Sequence, residues 1–435
     1  MKPQSVRSSF LSILESMEKE KRDYVMDPSR DFTRKRSISF IDTIKCLISM
    51  SNRSLNSEIR EYFLCTDRAS PTESAFIQQR GKLKDNTLQE LFYRLNQSIP
   101  CNKKYRGYKV FAVDGSVVDI PSLPGDDDSV VRTVSDEKVV YQLHLNALYD
   151  LCGKTYQDFI IQPASGKNET VAFCSLIDSH KSPDKSIYIV DRGYISFNVI
   201  YHVLKNDQYI LLRSKDLESP ASMFHHVTLP NKKQFSMDIT FNITRNRSRE
   251  YRNHPESYKC LRSDMVFDGI PEEDRNTVLP LSFRLVKVKL SDGSSEELIT
   301  NLPEEEFGYS ALRRLYHMRW GIETSFRLLK HTIGLNFFHS KKRKFILQEI
   351  QARFIAFNIA MMIAGCIKPA QHNTKYKYEI SLSDACVTVR YYLLERIKNT
   401  EIIRELQRYV TPIRPGRSYK RNLRAGHVMP FNNRA

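Results

Sequence analysis

The chain has 435 residues, 41% of them hydrophobic and 11% aromatic, enough to bury a sizeable core in roughly two to four structural units. Its formal net charge of +17 argues against an acidic, solvating chain and points to a polyanionic partner, because each phosphate neutralised releases condensed counterions. Eight cysteines are scattered without the close pairs of a zinc or redox motif, the N-terminus lacks a continuous apolar signal region, and no run of about 18 apolar residues occurs. The expectation is a reduced, soluble protein with no membrane partner.

Residues 1–105 read as helical. Phe40, Ile41, Ile44, Leu47 and Ile48 recur at helical spacing behind Ser39, with Asp42 placed to complete a capping box. Leu55, Ile59, Tyr62 and Phe63 form a second apolar set. Ser70-Pro71-Thr72-Glu73 is a third start signal, with Pro in the first helical position. Short helices bordered by Arg30, Arg34, Lys35 and Arg36 suit a DNA-binding region, as they suit any small helical bundle.

The pattern changes near Tyr108. Lys109 to Val113 reads as a strand ending at Asp114-Gly115, Tyr141 to Tyr149 and Tyr156 to Ile161 as two more, and Pro121 to Asp128 as a loop. A helix over 169–180 precedes the strand Ile187 to Val190, which ends at Asp191-Arg192-Gly193. A helix through Phe197 and Leu204 and the strand Tyr209 to Leu212 follow, predicting a mixed α/β sheet. From 214 to 305 the pattern is mostly β: Phe235 to Ile243 alternates, Phe283 to Leu290 is Val- and Leu-rich, Ser291 to Ser294 reads as a turn, and Leu298 to Thr300 as a last strand. Ser310 to Thr332 and Leu347 to Ile367 read as two long helices, and further basic clusters lie at Lys341 to Lys344 and Arg414 to Arg424.

Two apolar strands that each run into an aspartate, with a glycine within two residues, resemble ligand-facing strand ends where glycine allows close backbone approach. The helix after 310 is more specific. At about 100° per residue, Arg319, Glu323 and Lys330 fall roughly 60°, 20° and 40° behind Tyr316, on one stripe. Leu315, Ile322, Phe326 and Leu329 form the adjoining apolar stripe, and Trp320, the sole tryptophan, lies at its edge. Phosphodiester cleavage and transfer need an activated nucleophile and a stabilised leaving oxygen, which two Mg²⁺ or Mn²⁺ ions supply. Such hard ions take carboxylate oxygens, so Asp114, Asp191 and Glu323 are the expected catalytic and metal-binding set. Tyr316, Arg319 and Lys330 are then placed to hold DNA phosphates.

With these residues the sequence resembles bacterial DDE transposases, the cut-and-paste insertion-sequence group with the signature Tyr-x2-Arg-x3-Glu-x6-Lys. Tyr316, Arg319, Glu323 and Lys330 match that spacing without a gap, and Asp114-Gly-Ser and Asp191-Arg-Gly-Tyr resemble the group's first and second aspartate motifs. The separations, 191 − 114 = 77 and 323 − 191 = 132 residues, suit the group, with the β-rich segment in the second gap. The resemblance covers roughly residues 30 to 420, including Arg414-Pro-Gly-Arg417. It implies a ribonuclease H-like mixed-sheet core interrupted by a β-rich insertion, with helical N- and C-terminal regions. The implied division is 1–105 as a DNA-binding region, 106–213 and 306–367 as the two parts of the core, 214–305 as the insertion, and 368–435 as a helical region with a basic tail.

The resemblance further implies 3′-end nicking, hairpin formation and opening, and strand transfer. The implied partners are double-stranded DNA, as terminal inverted repeats and target, and a second copy of the chain as a homodimer on paired ends. Trp320 follows the signature arginine where relatives carry an aromatic that holds the distorted, flipped-base end, and Arg327 is a further phosphate contact. The implied setting is the bacterial cytoplasm, associated with the nucleoid. The competing functions are another metal-dependent DNA nuclease on the same core and a catalytically silent, DNA-binding domesticated transposase.

Overall fold

Five helices precede the first strand: α1 (Pro3–Lys19), α2 (Phe40–Ser49), α3 (Leu55–Cys65), α4 (Glu73–Gly81) and α5 (Thr87–Ser98). They belong to a computed structural model that describes residues 1–34, 36–123, 125–132, 139–214, 217, 219–220, 222–290 and 293–414. Lys35, Pro124, Ser291, Asp292 and the basic tail beyond Arg414 lie outside the described residues. The capping box predicted at Ser39 forms: its side chain accepts from Asp42 N, and the Asp42 carboxylate accepts from Ser39 N, both at 3.0 Å. The helix predicted to start behind Ser70 instead opens at Glu73. Thr72 is extended and its hydroxyl caps Ala75 N at 3.2 Å, which leaves Pro71 outside.

The central elements are β1 (Lys109–Ile120), β2 (Val130–Arg132), β3 (Val139–Asp150), β4 (Thr155–Pro163), α6 (Glu169–Ser179), β5 (Ser186–Val190), α7 (Phe197–Lys205) and β6 (Tyr209–Arg213). β3 runs antiparallel to β1 and β4, whereas β1, β5 and β6 are mutually parallel, which gives the order β4-β3-β1-β5-β6 of a ribonuclease H-like core. The β-rich segment supplies β7 (Phe235–Thr244), the short α8 (Arg249–Arg252), β8 (Tyr258–Cys260), β9 (Val278–Lys289) and β10 (Ser295–Thr300). These strands prolong the core sheet: β10 pairs antiparallel with β6, and the order continues β10-β9-β7-β8 into one ten-stranded mixed sheet. The three-residue β8 had no alternation to betray it.

The remaining elements are α9 (Tyr309–His317), α10 (Trp320–Arg327), a π-helical turn (Leu328–Thr332), α11 (Arg343–Gly365), β11 (Tyr378–Ile380), α12 (Leu382–Leu393), α13 (Ile402–Arg408) and β12 (Val410–Pro412). Alternation along the central strands sorts side chains to two faces. Val110, Ala112, Ile187 and Ile189 join one apolar cluster with the N-terminal helices and α9 to α13, while Phe111, Val113, Tyr188 and Val190 join another with α6 and α7. By length and composition α11, at 23 residues, is apolar enough to cross a bilayer, although Glu349, Arg353 and Asn358 interrupt its apolar run, as expected of this stretch from the sequence. Most of it is buried inside the protein, packed by α2, α5, α12 and β4, and a helix covered on all sides is apolar all round.

Charged side chains also lock α11 to the N-terminal helices. The fully buried Arg80 guanidinium donates to Glu349 at 2.9 Å, to Gln348 and to the Phe345 carbonyl, and Glu349 receives the His339 backbone N–H at 2.9 Å. Arg353 donates to the carbonyls of Met50 and Ser51, and Arg390 pairs with Glu58 and Glu61. Despite burial, the Arg80 and His339 contacts hold the Glu349 carboxyl down at about 2.

Candidate active site

Asp114 lies in the middle of β1, not at its end. β1 continues to Ile120 because β3 pairs with it along 111–120, whereas the parallel partner β5 stops at Val190. The register sets the level of the two aspartates. Ala112 pairs with Ile189, so two residues further the chain arrives at Asp114 within β1 and at Asp191 just past the end of β5. Their separation in sequence equals that register offset. By parity both carboxylates continue the Val110, Ala112, Ile187, Ile189 face, the one covered by α9 and α10.

The helix carrying the third acid is held close. A Cβ on Gly321 would meet Leu151 Cδ2 at 2.8 Å, Ser325 Oγ lies 2.8 Å from the buried Tyr156 hydroxyl, and Ile322 and Phe326 are buried. The single helix predicted over 310–332 is divided in two ways. Met318, Arg319, Gly321 and Ile322 each donate to the carbonyl three residues back, a tightened turn that parts α9 from α10. Ile333 N donates to Leu328 O, five residues back, in the π turn. The ideal-helix stripe therefore holds from Tyr316 to Glu323 only in outline, and Lys330 lies on a widened turn.

Arg319 is the hub. Only 6% exposed, it places Nη2 at 2.6 Å from Glu323 Oε1 and Nη1 at 3.7 Å from Asp114 Oδ2. Tyr316 donates its hydroxyl to Asp191 Oδ1 at 3.2 Å. Asp114, Glu323 and Arg319 thus meet at one guanidinium, and Asp191 is held beside them by Tyr316. Burial, together with the Glu323 and Asp191 charges, raises the Asp114 carboxyl to about 6, although Arg319 and the Gly115 N–H pull the other way. Lys330 Nζ donates to Val117 O at 2.5 Å on β1, with its ammonium pKa lowered by burial. Trp320, 46% exposed, flanks the Arg319 guanidinium at 5.5 Å. Arg327 is exposed on α10, and no contact ties it to the carboxylates.

Sequence reasoning missed three neighbours. Gly115 was expected to clear space for a ligand; its open side is filled by His144 Nε2 and Glu169 Oε1, which a Cβ would meet at 2.5 and 2.7 Å. Glu169 Oε2 also comes within 3.8 Å of the Cβ position of Gly193. His144 Nε2 is 3.1 Å from Glu169 Oε1 without the alignment of a full hydrogen bond. Tyr194 is buried with its hydroxyl unpartnered, and Asp114, Glu169 and Asp191 all add to the burial that drives its pKa upward. Only the position of Tyr194 in the Asp-Arg-Gly-Tyr segment hinted at it; His144 and Glu169 arrive through pairing of β3 and packing of α6.

Among the described residues, no three acidic, histidine or cysteine side chains are already set as a metal cage. Three carboxylates in a partly buried space repel one another, and the Arg319 guanidinium stands as their counter-ion. Hard oxygen donors in surplus over positive charge are nonetheless the set that Mg²⁺ or Mn²⁺ takes, so the residues fit such ions if Arg319 yields its place.

No curated protein matches the chain. Among solved structures, the cryo-EM structure of a piggyBac transposase synaptic complex with hairpin DNA is similar at 9% identity, covering 93% of this chain and 81% of that one with a TM-score of 0.45. A family profile described as the transposase DDE domain matches residues 105–359, which is more than half of the chain and spans every element from β1 to α10. The chain therefore belongs to the transposase DDE-domain family.

Proposed function

We propose that this transposase carries out cut-and-paste DNA transposition, as the cut-and-paste insertion-sequence group with the Tyr-Arg-Glu-Lys signature does, with Asp114, Asp191 and Glu323 as its catalytic carboxylates. The observation that supports the reading is that Asp114 in β1 and Asp191 just past β5 each follow the paired residues Ala112 and Ile189 by two, with Glu323 joined to Asp114 through Arg319. The three carboxylates would hold two divalent ions, Mg²⁺ or Mn²⁺, whose chemistry when bound would be to make the attacking hydroxyl more acidic and to stabilise charge on the departing oxygen. Water first breaks one phosphodiester at each element end and leaves a 3′-hydroxyl. That hydroxyl attacks the opposite strand, forming one P–O bond as another breaks, which closes a hairpin and frees the element. A second water reopens it, and each 3′-hydroxyl then attacks a phosphate of target DNA, forming a new P–O bond as the target strand's own 3′-oxygen departs.

The chain's own groups act by position and charge. Tyr316 fixes one oxygen of Asp191, Arg319 turns from Glu323 toward the incoming phosphate, and Lys330 exchanges a carbonyl for a phosphate oxygen. The partners are double-stranded DNA, as inverted-repeat ends and target, and a second copy of the chain, in the bacterial cytoplasm at the nucleoid. The test uses purified protein, Mg²⁺ and the genomic segment that carries this reading frame with its flanks. Excised fragments with hairpin ends are expected; nicks at any sequence would instead identify a general nuclease, and binding alone a silent DNA-binding relative. Glu323→Gln should retain end binding and lose cleavage, because one charged ligand goes while the helix survives. Wild-type cleavage in that variant would remove Glu323 from the site.

A further inference from the structure

A groove leads away from the carboxylates along α9. It is lined by Arg213 on β6, Glu296 on β10 and Leu290 just past β9, by Arg313, Arg314 and His317 of α9, and by Tyr316, Arg319 and Trp320. It encloses about 640 Å³ and joins, through Ser310, Arg313 and Arg314, a second hollow of about 510 Å³ that reaches Arg106 and Lys289. Glu296 is half-buried against Arg213 at 3.7 Å, and Glu305 and Glu306 line the outer hollow, so cations outnumber carboxylates along the whole path.

Spacing adds a second property. Tyr309, Arg313 and His317 follow one another at intervals of four on α9, and Arg319 and Trp320 continue the lining across the tightened turn, so rings and guanidinium groups alternate in chain order. Arg313, Arg314, His317 and Trp320 are exposed and Tyr309 is half-buried. A duplex presents phosphates but keeps its bases stacked inside, whereas a face that alternates rings with guanidinium groups offers something to both bases and backbone of a separated strand. The inner end opens on Arg319, which also touches Glu323 and Asp114.

We propose that this groove is a track for an unpaired DNA strand, guiding it along α9 to the carboxylates. The proposal rests on the transposase reading for its choice of DNA, but its test does not need cutting. The probe is a 15-nucleotide oligothymidylate carrying 5-bromodeoxyuridine, bound to the full chain in EDTA, crosslinked by light and mapped by peptide mass spectrometry. Crosslinks are expected within residues 309–320, and Arg313→Ala with Arg314→Ala should weaken oligothymidylate binding roughly tenfold, with a shallower salt dependence. Both arginines are exposed, so thermal melting should not move; Arg314→Glu alone, expected to weaken binding further than Arg314→Ala, separates charge from shape. Crosslinks confined to other segments, unchanged affinity in both variants, or equal protection of 309–320 by a 15-base-pair duplex would each overturn the track. A chain that binds the strand here yet never excises an element would leave the track standing and defeat the transposition reading instead.

Discussion

Two charged clusters in this protein are built on opposite terms. At the junction of the N-terminal helices with α11 and α12, Arg80, Arg353 and Arg390 are set against Glu58, Glu61 and Glu349, and further guanidinium donors of Arg80 and Arg353 go to backbone carbonyls, with Arg353 Nε left over. At the sheet centre, Asp114, Asp191 and Glu323 face Arg319, and among the described residues the buried Tyr194 hydroxyl has no hydrogen-bond partner while His144 meets Glu169 at 3.1 Å without full hydrogen-bond alignment. The first cluster has its charges matched and holds elements together. The second carries surplus negative charge in a partly buried space, with Arg319 as its counter-ion. Buried charge is therefore informative about function only when its balance is left open.

The sharpest way to break that contrast is to remove one partner from the balanced cluster. Glu349→Ala leaves Arg80 buried and unpaired, and should cost about 3–5 kcal/mol in urea unfolding; a loss well under 1 kcal/mol would show that the junction holds without its charges. The unbalanced cluster should respond with the opposite sign. The Asp114 carboxyl is raised to about 6 in the folded protein from an ordinary value of 3.8, so the native state binds the extra proton between those values. Stability from this group is highest below 3.8 and declines as pH rises through 6. In EDTA at neutral pH, Asp114→Asn should therefore raise stability by roughly 1–3 kcal/mol, with little change at pH 4. Mg²⁺ should raise the melting temperature of the wild type and not of this variant; a variant less stable than wild type at pH 7 would refute the surplus-charge account.

Smaller effects sharpen the boundary of the site. Gly115→Ala drives a methyl into His144 and Glu169, and should cost about 1–3 kcal/mol while lowering cleavage more than binding. If Glu169→Ala in the same chain restores stability, the clash is with that side chain. Smallest of all, Lys330→Ala gives up one hydrogen bond to Val117, worth about 1 kcal/mol, and should reduce the salt slope of end binding by about one. An unchanged slope would leave Lys330 as a tie between the π turn and β1.

Much of the architecture was legible because local pattern and final environment agree. The capping box at Ser39 formed, the runs read as strands at 141–149, 156–161, 235–243, 283–290 and 298–300 became β3, β4, β7, β9 and β10, and the apolar stripe of Ile322 and Phe326 did pack on the sheet. Where they disagreed, longer-range packing decided. The strand predicted to end at Asp114 runs on because β3 offers pairing as far as Ile120, and the ideal stripe through Lys330 is bent by a tightened turn and a π turn. The continuity of the β-rich segment with the core sheet could not be read locally, since the pairing of β10 with β6 joins residues far apart in the chain.

The sequence by itself determined which residue types were available and at what spacing: two aspartates behind apolar strands, and a helix bearing Tyr316, Arg319, Glu323 and Lys330 in one frame. Side-chain chemistry and the helical and strand periods are local properties, so they survive in the linear order. Only the tertiary structure decided that the parallel strands β1 and β5 bring Asp114 and, just past the strand end, Asp191 together, that Arg319 bridges Asp114 to Glu323, and that His144, Glu169 and Tyr194 close in around them. Register between distant strands and the charge surplus of a shared, partly desolvated space arise from packing, and no window of sequence contains them.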